Sequence, residues 1–128
     1  FHLAAHARTV IGIESNPAAV AAARQTNERL GLTHARFEVA DAAAGLSTIA
    51  HADVVVLNPP RSGCAPGVLA EVRRLAPRLV AYLSCDPRTL ARDLAQLGFH
   101  IVSIAPFDML PQTAHVETLV LLNAGRPT

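Results

Sequence analysis

The sequence predicts a doubly wound α/β fold: a mostly parallel sheet flanked by amphipathic helices, with an antiparallel last strand. Short apolar runs alternate with helical stretches along the whole chain, the pattern of parallel strands covered on both faces. The last two apolar runs are joined by a loop too short for a crossover helix, so the final strand should return antiparallel. Polar residues recur where apolar runs end, as expected where strands finish at a ligand-binding edge.

The elements follow in order. Val10 to Glu14 reads as a buried strand ending in an acid, and Pro17 opens a helix running to about Leu30, with Gly31 as its stop. Ala35 to Val39 is a second strand ending near Asp41. The run Asp53 to Asn58 is the clearest buried strand, closed by Pro59-Pro60 because neither proline can donate to a ladder. A helix is expected from about Pro66 to Ala76, then a strand from Leu79 to Cys85. Asp86 and Pro87 supply an N-cap and first turn for a helix to about Leu97. His100 to Ala105 is a strand, and a loop from Phe107 to His115 leads to the last strand, Glu117 to Leu122. Residue 1 is Phe, and Phe1 to Ala7 resembles the end of an apolar helix begun earlier. The expectation is a fragment whose first strand and glycine-rich turn lie upstream, so that residues 1–128 form one truncated domain.

Composition narrows the partners. The 128 residues suffice for one domain, and an apolar share of 51% can fill its core. No apolar run approaches the roughly 20 residues of a membrane span, and no secretory signal is seen. Cys64 and Cys85 are far apart and lack metal-ligand spacing, so reduced thiols in the cytoplasm are expected. A formal charge of +1 argues against a broad basic surface for nucleic acid, so any such contact should be local.

In open α/β sheets ligands bind beyond the carboxyl ends of the strands. Glu14, Asp41, Asn58 and Cys85 end strands, and an antiparallel last strand brings Glu117 to the same edge. Glu14 can be a solvated acid or can bind paired ribose hydroxyls. Asp41 can cap a turn or face a cofactor. Asn58 can belong to a rigid turn, but its amide both donates and accepts, which suits a base or a cofactor. A lone cysteine is usually a small buried hydrophobe. Cys85, however, sits just before a helix N-cap, where unpaired N–H groups and the helix dipole attract negative charge and favour a nucleophile. Cys64 has no such setting and reads as structural. Glu117 can be an edge charge that blunts aggregation or a catalytic group, and His115 reads as a loop residue.

Three segments carry a resemblance. Asn58-Pro59-Pro60-Arg61-Ser62-Gly63, the run Tyr82-Leu83-Ser84-Cys85-Asp86-Pro87-Arg88-Thr89-Leu90-Ala91-Arg92-Asp93, and the run from Asp108 through Pro111 and His115 to Glu117 resemble three signatures of the RNA uracil-5-methyltransferases. That family modifies transfer RNA and large-subunit ribosomal RNA in bacteria. The resemblance spans essentially the whole chain in the right order. It implies a Rossmann-like methyltransferase sheet, S-adenosylmethionine as cofactor and RNA as substrate. By the same match Cys85 falls on the nucleophile and Glu117 on the general base. Glu14 and Asp41 fall near the cofactor ribose and adenine, and Asn58 falls beside the methyl donor and the target base.

The chain departs from the pattern at three places. Many members carry Asp where this chain has Asn58; a ribosomal-RNA branch has Asn, which tilts the expected substrate toward 23S rRNA over tRNA. Asp86 replaces the usual Asn and keeps the capping chemistry. Leu110 replaces a Phe. An upstream RNA-binding module, and the cluster-binding cysteines of some members, would lie outside these residues. Two other readings compete. Asn-Pro-Pro also occurs in methyltransferases of exocyclic amines, but those follow it with an aromatic residue and need no cysteine. The alternative non-enzyme, a cofactor- or RNA-binding remnant without catalysis, is opposed by the retained Cys85 and Glu117.

Overall fold

The computed structural model describes residues 2–108 and 116–125. The chain divides into two compact units, Phe1–Thr48 and Ile49–Thr128.

The first unit opens with a 3-10 turn, His2–His6, rather than the α-helical end expected there. It is pinned where the His34 ring nitrogen meets the Ala4 carbonyl at 2.8 Å. Strands β1 (Val10–Glu14) and β2 (Ala35–Val39) then pair in parallel, with Glu14 opposite Val39. Between them runs helix α1 (Pro17–Arg29), capped by Asn16, whose side chain accepts from the N–H groups of Ala18 and Ala19. Arg24 fastens this helix to the sheet by donating twice to the Phe37 carbonyl, at 3.0 and 2.7 Å. A second helix, α2 (Ala42–Ser47), was not expected, because six residues of sequence AAAGLS carry no amphipathic period. Asp41 caps it, and Gly45 lets it approach β1: a Cβ at Gly45 would lie 2.6 Å from the Ile13 side chain.

The second unit holds a four-stranded sheet in the order β3-β4-β6-β5. Its strands are β3 (Val54–Leu57), β4 (Leu79–Ser84), β5 (His100–Phe107) and β6 (Glu117–Asn123). β3 and β4 are parallel, while β6 runs antiparallel to both β4 and β5, as the short final connection requires. Helices α3 (Pro66–Leu75) and α4 (Pro87–Leu97) supply the apolar cover. The core comprises Val68, Leu69, Val72 and Leu75 of α3, Leu90 and Leu97 of α4, and Val55, Leu57, Val80, Tyr82, Val120 and Leu122 of the sheet. Register puts those sheet residues on one face, since Val55 pairs with Val80, Leu57 with Tyr82, Val80 with Leu122 and Tyr82 with Val120.

The alternate residues of β3 face the other way. Val54 and Val56 are 43% and 53% exposed, so β3 is buried on one face rather than the two anticipated for it. β5 forms an outer edge, exposes Ile101, Val102, Ile104 and Phe107, and carries a register shift between Ile101 and Ser103. It extends two residues beyond the expected end, because Pro106 and Phe107 pair with Thr118 and Glu117 of β6.

Candidate active site

In the first unit, Glu14 and Asp41 follow one another at the carboxyl ends of two adjacent parallel strands. Glu14 closes β1, and the Ala40 N–H donates to its carbonyl at 3.1 Å. One carboxylate oxygen, Oε1, accepts from the Asn16 N–H at 2.9 Å and the Ser15 hydroxyl at 3.3 Å. The Asn16 N–H is the main reason the Glu14 carboxyl lies below its usual range, so it is charged near neutrality. Asp41 spends Oδ1 on the N–H groups of Ala43 and Ala44, at 3.0 and 3.2 Å, the capping role held open above. Each acid keeps its second oxygen clear of hydrogen bonds to the described residues and is solvent-exposed. The pair therefore offers two acceptors that fit the donors of ribose hydroxyls or an amino group.

In the second unit, Asn58, Cys85 and Glu117 lie at one edge of the sheet, on three successive strands. Asn58 follows the end of β3, and Pro59-Pro60 carry the chain away from the ladder. Cys85 follows the end of β4, and Glu117 opens β6. The β4–β6 register runs from Val80 opposite Leu122 to Ser84 opposite Thr118. One residue beyond that last pair stand Cys85, just after β4, and Glu117, the first residue of β6. On its other side Glu117 pairs with Phe107.

Local chemistry holds Cys85 in a turn. The Ser84 hydroxyl accepts from the Asp86 N–H and lies against the Asp86 carbonyl, both at 3.1 Å, closing a loop around the cysteine between them. Asp86 caps α4, accepting from the N–H groups of Arg88 and Thr89 at 2.9 and 3.2 Å. Those backbone bonds hold its carboxyl below the usual range, with the Arg88 and Arg61 guanidiniums adding to the effect. Cys85 is half-buried with a free thiol. Cys64 is also free but buried. Burial pushes its thiol up, and the nearby Asp93 carboxylate adds to that, against an opposing hydrogen bond with Tyr82. The two thiols thus occupy different settings, and only Cys85 stands at the strand-end edge.

A set of residues that sequence reasoning passed over joins two of the quoted segments. Asp93 is fully buried. Its Oδ2 accepts from the Tyr82 hydroxyl at 2.5 Å and the Cys64 N–H at 2.7 Å, while Oδ1 meets the Arg92 guanidinium at 2.7 Å. Arg92 also donates to the Ser62 carbonyl at 2.8 Å, and the Thr89 hydroxyl donates to the Arg61 carbonyl at 3.0 Å. An acid on a helix ordinarily reads as solvated; the available signal was its place in an amphipathic period beside Leu90 and Leu97, on the buried side of α4. His115 and Leu110 lie outside the described residues. Among the described residues no three His, Cys, Asp or Glu side chains converge to hold a metal ion, and no helix is long and apolar enough to cross a membrane.

Strand order, the antiparallel last strand and acids at strand ends define the doubly wound α/β class of methyltransferases. An rRNA methylase from Streptococcus thermophilus shares the fold at TM-score 0.73 and 13% identity, over 94% of this chain and 76% of that one. The profile of the tRNA (uracil-5-)-methyltransferase family matches residues 9–125, and the chain belongs to that family. An uncharacterised RNA methyltransferase of Geobacter sulfurreducens is 47% identical over 94% of this chain and 26% of its own length. The 23S rRNA (uracil(747)-C(5))-methyltransferase of Shewanella pealeana is 39% identical over 94% of this chain and 33% of its own. The crystal structure of Pyrococcus abyssi tRNA (uracil-54, C5)-methyltransferase, in complex with S-adenosyl-L-homocysteine, superposes at TM-score 0.84. It is 35% identical over 94% of this chain and 30% of that one. The chain thus spans about a quarter to a third of the length of these relatives.

Proposed function

We propose that the protein carrying this chain methylates carbon 5 of a uridine in RNA, and that residues 1–128 form the bulk of its catalytic domain. One observation carries the reading: the β4–β6 ladder ends with Ser84 opposite Thr118, so Cys85 and Glu117 each stand one residue beyond that last pair, at the sheet edge where Asn58 follows the neighbouring strand. A thiol, a carboxylate and an amide at one edge are the groups that covalent alkylation of a pyrimidine needs.

Carbon 5 of uracil is a weak nucleophile. The Cys85 sulfur, as thiolate, bonds to carbon 6, and the ring's electron pair moves to give an enolate with an electron-rich carbon 5. S-adenosylmethionine, when bound, supplies an electrophilic methyl group on a sulfonium. Carbon 5 takes that methyl as the methyl–sulfur bond breaks and its pair stays on the departing neutral thioether; Glu117 removes the carbon 5 proton, and the released pair expels the Cys85 sulfur to restore the ring. Covalent catalysis thereby divides one difficult step into easier ones. Asn58, both donor and acceptor, suits the base edge beside the methyl donor. The open oxygens of Glu14 and Asp41 suit the cofactor ribose and adenine. A stacked base must be flipped out or lie in a loop to be reached. With a formal charge of +1, binding should rest on shape and unpaired bases rather than a broad basic face, aided by a further RNA-binding module.

Two points support 23S rRNA over tRNA: the asparagine at position 58, and the 23S rRNA activity named for the Shewanella relative. The test incubates the full-length protein with S-adenosylmethionine and either 23S rRNA or tRNA lacking the modification. Nucleoside mass spectrometry should find 5-methyluridine in 23S rRNA. Methyl groups on exocyclic amines, or no methylation of either RNA, would contradict the reading.

A further inference from the structure

We propose that Asp93 is a positioning residue, which locks the loop from Asn58 to Cys64 onto the helix that follows Cys85. The inference rests on the roles read above for Asn58 and Cys85, and it adds a group that touches neither substrate nor cofactor.

Three of four consecutive loop residues are held by α4. The Arg61 carbonyl accepts from Thr89, the Ser62 carbonyl from Arg92, and the Cys64 N–H donates to Asp93. Gly63, between them, has φ +79°, and its N–H closes a turn on the Pro60 carbonyl at 2.9 Å. A Cβ there would lie 2.5 Å from Arg92 Nη2 and 2.6 Å from Asp93 Oδ2, so only glycine lets the loop sit this close. Asp93 is the centre of this clamp. It joins the loop to α4 through Cys64, and α4 to β4 through Tyr82, three residues before Cys85.

The loop can transmit this placement to Asn58. Pro59 and Pro60 fix two φ angles and leave little slack between Asn58 and the clamped residues. A general hydrophobic contact would hold the loop near α4; directional hydrogen bonds hold it in one register. The buried Asp93 carboxylate sets the direction of these bonds, and that directional geometry is what it adds. Misplacing a reacting group by about 1 Å can cost about 100-fold in rate.

The test uses the full-length protein and its Asp93→Asn variant. The amide's NH2 end cannot accept, so it cannot serve Tyr82, Cys64 and Arg92 together. Arg92→Gln, at a half-exposed position, is the milder second variant should Asp93→Asn fold poorly. Hydrogen exchange is measured for peptides covering 58–65 and for those covering β4 and β6. Methyl transfer is measured per active site, with sites counted by trapping on RNA that carries 5-fluorouridine. Both variants should exchange faster in 58–65 alone. Their rate per trapped site should fall by about 10- to 100-fold, with little change in KM for RNA. A merely structural role would lower the number of trapped sites and leave the rate per site unchanged, which would overturn the proposal, as would unchanged exchange in the loop. Absence of methylation by the unmodified protein would instead sink the functional reading, and exchange would still decide whether Asp93 holds the loop.

Discussion

Ser84 of β4 pairs with Thr118 of the antiparallel β6, and one residue farther along stand Cys85 and Glu117. A thiol and a carboxylate far apart in sequence are thus set by backbone register at one sheet edge. A slip of one residue would move each side chain to the opposite face. The buried alternation of Val80, Tyr82, Val120 and Leu122 opposes such a slip.

This arrangement predicts that Glu117 acts after methyl transfer. The carbon 5 proton becomes removable only once the methyl group is on and the ring has lost its conjugation. Glu117→Gln keeps size and hydrogen bonding but removes the base. In the full-length protein it should slow product release by about 100- to 10,000-fold, with methylated RNA accumulating on Cys85 from ordinary uridine. Mass spectrometry of the Cys85 peptide checks this. Free thiol with fully released 5-methyluridine would remove Glu117 from the mechanism.

Two glycines with positive φ separate backbone strain from crowding. Gly31 (φ +65°) has nothing within 4 Å of a built Cβ, whereas Gly63 (φ +79°) meets Arg92 and Asp93. Gly31→Ala should cost about 1 kcal/mol, the left-handed backbone penalty alone. Gly63→Ala should cost clearly more, about 2–4 kcal/mol, because the buried Asp93 carboxylate and the Arg92 guanidinium paired with it must also shift. Urea denaturation of the two variants measures the difference, and equal losses would contradict the crowding.

The cap at Asp86 predicts an acid dependence. Its carboxyl lies below the ordinary value of 3.8 when folded, chiefly through the Thr89 and Arg88 N–H groups. Its stabilisation is therefore fully present above that value and is lost as pH falls through the lower folded-state value. Asn also caps helices. Asp86→Asn should match the parent in thermal melts at neutral pH and lose less stability below about pH 4. Identical acid profiles would show that the charge of Asp86 contributes nothing.

Much of this was legible in sequence because its causes are local. Pro17, Gly31, Asp86 and Pro87 mark the ends of α1 and α4 through capping and fixed φ, which need no distant partner. The strand-end residues were legible for a related reason, since a parallel sheet puts carboxyl ends at one edge. What escaped depended on remote partners. α2 is too short for a period, and its cap at Asp41 also read as a ligand position. Phe107 joins β5 only through its pairing with Glu117. The burial of Asp93 depends on Tyr82 and on the Cys64 amide, 11 and 29 positions away. The open face of β3, with Val54 and Val56, could not be told from a fully buried strand, because a run of valines has no polar alternation to mark it.

The central claim is that Cys85 is the nucleophile, and covalent trapping tests it most directly. RNA with 5-fluorouridine at the target carries a fluorine that cannot leave as a cation, so the reaction should stop after methyl transfer with sulfur still bonded to carbon 6. The buried Cys64 thiol, pushed up by its surroundings, is the internal control. With S-adenosylmethionine present, the full-length protein and its Cys64→Ala variant should form a denaturant-stable protein–RNA complex, and Cys85→Ala should form none. A complex that survives in Cys85→Ala and disappears in Cys64→Ala would contradict the assignment.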